Sequence, residues 1–418
     1  MIPRILVLGA AVLLGGPSRL LAQSPPAPPA PPAPPTLREV LDVALRSNPD
    51  IVAARLRVDS AHGEQRIARA IPNPVVNSAP NQPWQYTASV PLDILPQRLF
   101  RTRAAARGTD AALSDAADVV RQVTFAVSTA FYDLLLAEQT RGVAGERREI
   151  FRQLLSADSA RLRAGDIPQR DVTKAELELA RADADLLRAH AQVHATRLAL
   201  QLLMGVAAPD TSFTVSGALT YVPVIIPEDS LAVIAARSRP DLHAARERTA
   251  QSTAIKHLAA ALWVPIPELT YSYQHGGQFA RGDLFTNGSS HAIGFGFTLP
   301  LFDWNGGERE KSSAGLEAAQ LATTRTQAQI ANDIATSVDA YHSARALAER
   351  YEGGMLERAR SVLETARYAY GTGAISLLEL LDAIATWSDT RSNYYAALHD
   401  YWVSVYAVAR AAGRDFTP

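Results

Sequence analysis

The octapeptide NPDIVAAR at residues 48 to 55 returns as RPDLHAAR at 239 to 246, an offset of 191. At the same offset IARAIPNP (67 to 74) answers LAAALWVP (258 to 265). SVPL (89 to 92) then matches TLPL (298 to 301) at 209, and AGDIPQRDV (164 to 172) matches TGAISLLEL (372 to 380) at 208. Self-similarity of this kind means that one structural unit is built twice. The change of offset places about 18 extra residues between Pro265 and Leu299 and almost none after them. The copies therefore differ mainly in one hairpin connection, short at SAPNQP and long at HGGQFARGDLFTNGSSH. The long version is expected to be an external loop.

Within each copy the order is short helix, helix, strand hairpin, then two very long helices. Repeat one is expected over 36–225, with strands at about 74–92 and a long helical hairpin at about 94–204. Repeat two is expected over 226–413, with strands at about 267–301 and a helical hairpin at about 305–412. No proline interrupts Leu99 to Ala164 or Gly307 to Thr372. At 1.5 Å per residue each run reaches roughly 100 Å. Val120, Val123, Val127, Ala130 or Phe131, and Leu134 keep a near-heptad spacing suited to coiled packing. Glycines at 142 and 145, and at 353 and 354, fall at corresponding depths and are expected to mark bends or packing changes. Each run turns back at a glycine, Gly165 or Gly373.

The hairpins alternate with period two. Trp84, Tyr86, Ala88 and Val90 oppose Gln85, Thr87 and Ser89; Ile293, Phe295, Phe297 and Leu299 oppose Ala292, Gly294, Gly296 and Thr298. An apolar face backed by small or polar residues suits a strand between lipid and a wet lumen. A half-buried strand of an ordinary sheet has the same period. Four strands in a helical chain, however, can neither close a barrel nor cover their own edges, and several chains together can.

The N-terminus supports an exported address. Arg4, an apolar run from Ile5 to Gly16, and Leu20-Leu-Ala22 read as a signal peptide over 1–22. A proline-rich linker occupies 23–35, and no later apolar run is expected to span a bilayer as a helix. The formal net charge of −1 provides no basic field for nucleic acid. The complete lack of cysteine excludes disulfides, cysteine-ligated metal and an acylated N-terminal cysteine. His190 and His194 stand four residues apart without the glutamate of a metalloprotease motif, and read as an exposed helix pair. No serine or carboxylate pair sits in a catalytic context, so no catalytic residue, cofactor or metal site is assigned. The Tyr394, Tyr395, Tyr401, Trp402 and Tyr406 group reads as helix core.

In its duplicated module, the RPDL helix start, the TLPLFDWNGG strand exit and a glycine turn followed by an acid, the chain resembles the TolC family of outer-membrane efflux channels. The resemblance covers Thr36 to about Gly413 and implies a mainly α fold with a small membrane β part. Three chains would give a 12-stranded β-barrel and a periplasmic α-helical tunnel. It further implies a passive, non-enzymatic exit duct in the cell outer membrane, working with a periplasmic adaptor (membrane fusion) protein and an inner-membrane pump. Gly165 and Gly373 become the periplasmic hairpin-tip turns, Glu379 and Asp382 a channel-lining acidic ring, and Asp171 and Tyr370 members of the periplasmic gate. Where the family pattern often has arginine two residues after the second glycine, this chain has Ile375. A soluble periplasmic coiled-coil adaptor or scaffold is the rival reading; it explains the long helices but leaves the alternating hairpins unused.

Overall fold

A computed structural model describes residues 34–80, 84–93, 96–281, 284–297 and 299–416, with the side chains of 276–287 left out. The expected signal peptide and all but the end of the proline-rich linker lie outside the described residues. Helix α1 (Leu37–Ser47) opens on a capping box, in which Thr36 Oγ1 accepts from the Glu39 N–H and Glu39 accepts from the Thr36 N–H. Asn48 both ends α1 and caps α2 (Pro49–Arg69). Strands β1 (Val75–Ala79) and β2 (Trp84–Pro91) follow, then the unbroken α3 (Pro96–Ala164) and its return α4 (Gln169–Leu203). The second copy runs α5 (Leu231–Ser238), α6 (Pro240–Ala261), β3 (Glu268–Arg281), β4 (Leu284–Gly296), α7 (Gly306–Arg350), α8 (Leu356–Gly371) and α9 (Leu377–Ala412).

The repeat is kept in contacts as well as in order. Asn48 Nδ2 donates to the Leu203 carbonyl (2.7 Å), and its counterpart Arg239 donates to the Ala411 carbonyl (3.3 Å). Gly205 and Gly413 end the two return helices at φ +73° and +70°. A Cβ on either would meet backbone atoms, 2.2 Å from Ser47 O in the first case and 3.1 Å from Ser238 C in the second. Only glycine fits both the angle and the approach.

The four strands form one antiparallel sheet in the order β1-β2-β3-β4, with β2 and β3 joining the two repeats. The residues expected in the external loop are instead largely strand: β3 continues to Arg281 and β4 starts at Leu284. Extra residues paired in register satisfy each other's N–H and C=O groups, which an open loop leaves to water.

Two large cores and a small cluster of Ala235, Leu242 and Ile330 hold the helices. The larger joins Val127, Phe131 and Leu134 of α3 to Leu200 of α4, Tyr341 of α7 and Leu398, Tyr401 and Val405 of α9. The segment between α4 and α5 straps it: Tyr401 Oη donates to Val222 O (2.8 Å), Tyr341 Oη to Val224 O (2.6 Å) and Trp402 Nε1 to Thr220 O (2.9 Å). The aromatic group of α9 is core, as expected. By length and composition α3 is apolar enough to cross a membrane, against expectation, yet that stretch is partly buried inside the protein. Val127, Phe131 and Leu134 of that helix are buried among the other helices.

The glycine pairs diverge. α3 passes through Gly142 and Gly145 without a break, whereas a π-helical turn at Tyr351–Met355, with Gly354 at φ +89°, separates α7 from α8. The expected bend is realised only in the second copy.

Candidate functional site

α3, α4, α8 and α9 converge at the end that carries the two turns. Gly165 (φ +84°) donates to Leu162 O (3.0 Å) and Asp166 to Arg161 O (2.9 Å). Gly373 (φ +76°) donates to Tyr370 O (3.1 Å) and Ala374 to Ala369 O (2.8 Å). Both hairpins therefore close with the same Schellman pair, which satisfies the last carbonyls of the incoming helix. The outgoing helices differ. α9 restarts on a second capping box: Ser376 Oγ accepts from the Glu379 N–H (3.4 Å), and Glu379 Oε2 accepts from the Ser376 N–H (2.7 Å) and hydroxyl (2.9 Å). These bonds, the backbone one first, hold the Glu379 carboxyl below its usual range. α4 begins at Pro168 with no side-chain cap.

Beneath the turns lies the smaller core, with Phe151 and Leu154 of α3, Ala175 of α4, Leu363 of α8, and Leu377, Leu380 and Ile384 of α9. One polar bond is buried in it. Tyr370 Oη donates to Asp158 Oδ1 at 2.9 Å, tying α8 to α3. Asp158 is 0% exposed, and its other oxygen has no hydrogen-bond partner among the described residues. The Arg161 guanidinium lies 5.1 Å from the centre of the Tyr370 ring, and Nη1 donates to Tyr370 O at 3.5 Å. Burial pushes the Asp158 carboxyl up, opposed by the Tyr370 hydroxyl and then Arg161, with Asp171 adding to the rise. Burial, and then Asp158, also pushes the Tyr370 hydroxyl up.

The partner of Tyr370 is thus Asp158, which the sequence reading did not single out. Asp171 lines the same cleft as Tyr370 and Arg161, but its nearest cation is Arg170 Nε at 3.4 Å. The reason is register. Asp171 stands past the Gly165 turn in the first turn of α4, whereas Asp158 continues the buried α3 stripe of Phe151 and Leu154. An aspartate interrupting that stripe was the legible signal. Ile375, in place of the expected arginine, packs against the tip core.

Glu379 and Asp382 are both exposed, on the side of α9 away from Leu380 and Ile384. Thr386, Asp389, Asn393 and Asp400 are exposed too. With Ala396 these positions recur every three or four residues, so they form one continuous stripe. It carries four acids and no base. The corresponding positions of α4, offset by 208, are Asp171, Lys174, Glu178, Arg181, Asp185, Arg188 and Gln192, where each sign occurs three times. There the charges pair, Arg181 with Glu178 (2.6 Å) and Arg188 with Asp185 (2.5 Å). His190 and His194 lie exposed on α4.

The outer membrane efflux protein model matches residues 40–206 and 231–414, both repeats in turn. The cobalt-zinc-cadmium resistance protein CzcC of Cupriavidus metallidurans is 27% identical, over 98% of this chain and 99% of its own. Protein CyaE of Bordetella pertussis is 26% identical over 91% of this chain and 85% of its own. Among solved structures, the open-state MtrE outer membrane channel of Neisseria gonorrhoeae aligns with TM-score 0.75 and 20% identity, covering 92% of this chain and 91% of that one. A membrane protein of Pseudomonas aeruginosa aligns with TM-score 0.77 and 21% identity, covering 94% and 100%. These structures share the fold: a strand sheet on paired helical hairpins. With the two matched segments covering most of the sequence, the chain belongs to the outer membrane efflux protein family, as a passive exit duct of the outer membrane with its helices in the periplasm.

Proposed function

We propose that three copies of the chain close a 12-stranded barrel and a helical tunnel, and that the tunnel discharges divalent metal cations delivered by an inner-membrane pump through a periplasmic adaptor. The observation that carries the cargo is the α9 stripe, with four exposed acids and no base where α4 has paired charges. A solvated helix face gains from mixed signs that pair locally, as on α4. A stripe of a single sign, in which only Asp400 has a basic neighbour among the described residues (His399 Nδ1, 3.0 Å), costs repulsion and favours cations beside it. In this reading Glu379 and Asp382 form the narrow acidic ring at the tip, and Asp389 and Asp400 continue it along the bore. Asp158, Tyr370 and Arg161 then act as the periplasmic gate, with Asp171 at its edge. The name of CzcC, a relative matched end to end, points to the same class of cargo.

Ion selectivity in planar bilayers tests this. Replacing Glu379 with Gln and Asp382 with Asn should lower cation preference and weaken block by zinc or cobalt from the periplasmic side. Adding Asp389→Asn and Asp400→Asn should lower it further. Unchanged selectivity and block in the fourfold variant would show that the stripe faces outward and would remove the basis for the cation reading.

A further inference from the structure

The apolar face of the sheet changes character along its length. In register order it begins with Val90, Leu269 and Phe295, passes through Ala88, Tyr271 and Ile293, and ends with Tyr86, Tyr273 and His291, then Trp84 and His275. The rings at the far end form one cluster. Tyr273 stacks on Tyr86 (6.3 Å between centres) and His275 (6.4 Å) and lies 5.0 Å from His291. The Tyr271 hydroxyl and His291 Nδ1 are hydrogen-bonded at 2.7 Å. With Nδ1 engaged, the outer nitrogen, Nε2, is left to face away from the sheet.

The level of this cluster follows from strand length. A membrane-spanning strand takes about 9–11 residues. Counted from Glu268, the first residue of β3, such a span ends just beyond His275. The cluster therefore sits where acyl chains give way to headgroups, and the rest of the β3–β4 hairpin projects outside. The opposite face at this level carries Gln85, Gln274 and Ser290, the polar side expected of the lumen. Tyrosine and tryptophan alone would make an ordinary interfacial belt. Two histidines add ring N–H donors that aliphatic and phenolic side chains lack. Tyr86, Tyr271 and Tyr273 are the titratable groups that face them, and no carboxylate lies on this face of the described strands.

We propose that His275 and His291 bind phosphate groups of outer-leaflet lipid, anchoring the outer rim of the barrel to a phosphorylated lipid surface. The face is continuous with the lipid-covered strip below it, which identifies the occupant as lipid. The inference rests on the outer-membrane location of the family and is independent of the cation cargo.

The test uses the assembled protein in vesicles containing diphosphoryl lipid A or its dephosphorylated form, with co-purifying lipid A counted by native mass spectrometry. The parent should retain the phosphorylated form preferentially. Replacing both His275 and His291 with Phe keeps the stacked rings and removes the donors; retention should fall about tenfold, as expected for losing charge-assisted hydrogen bonds. Tyr271→Phe, which frees His291 Nδ1, should give a smaller loss and serves if the double variant does not assemble. Equal retention of the two lipid forms by the parent would overturn the proposal. So would undiminished retention in the variants.

Discussion

At the scale of single residues, the tip depends on one buried bond. Tyr370→Phe removes the one hydrogen-bond donor to Asp158 among the described residues and leaves its buried carboxyl without that partner. The cost to the clasp between α8 and α3 should be about 1–3 kcal/mol. Resting conductance should rise and tip amides should exchange faster, and unchanged exchange would show that the bond is incidental. The pH dependence has a definite sign. Because burial raises the Asp158 carboxyl above its ordinary value of 3.8, its contribution to stability is complete below that pH. It is lost as pH climbs through the raised folded value. Asp158→Asn keeps an acceptor for Tyr370 and removes the titration. Thermal midpoints of parent and Asp158→Asn should therefore separate as pH rises from about 4, with the parent falling behind. Glu379 has the opposite sign: held below its usual range by the cap, it contributes above the unfolded pKa and loses that contribution on acidification.

At the scale of elements, the copies reveal what each helix tolerates. Gly354 sits at φ +89° in the π-helical turn, so Gly354→Ala should lower stability by about 1 kcal/mol or more. Gly142, its counterpart in depth, lies exposed in an unbroken α3 with nothing within 4 Å of an added Cβ. Gly142→Ala should raise stability by roughly 0.5–1 kcal/mol. Opposite shifts in unfolding midpoint would confirm that the two glycines, at similar depths in their repeats, do different work. The difference has a structural setting. On α3 the larger core ends at Ala137 and the smaller begins at Ile150. Between them, ion pairs join α3 to α4 (Arg148 to Asp183, 2.5 Å) and α3 to α9 (Arg391 to Glu146). At this level α8 is joined to α9 through the hydrogen bond of Tyr394 to Glu352 in the preceding turn, 2.8 Å.

At the scale of the whole molecule, the sheet is incomplete. β1 and β4 are its edges, and unpaired edges of this kind invite strands of other chains. Mass measurement in mild detergent should give three chains per particle; a well-behaved monomer would contradict the proposed assembly. Replacing residues 276–289 with a two-residue turn leaves Glu268 to Gln274 paired with Ser290 to Gly296. Trimers and membrane insertion should survive that change, because the removed part extends past the membrane. Loss of insertion would mean that the hairpin tip, rather than its base, carries the barrel.

How much of this was legible depends on the range of the forces involved. The duplication, helix spans, tip glycines and strand alternation are written locally, in offsets, missing prolines and period-two faces, because backbone geometry and one-sided burial act residue by residue. The capping boxes at Thr36–Glu39 and Ser376–Glu379 were equally local signals. Tertiary structure alone decided that Tyr370 meets Asp158, 212 residues away, instead of Asp171. It also decided that the inserted residues pair as strands and that α7, unlike α3, breaks at its glycines. Each outcome depends on which distant surface fills the space beside a residue. The acidic stripe lies between these cases: its spacing is in the sequence, but its contrast with the mixed, locally paired charges of α4 appears only once folding shows that the face is exposed.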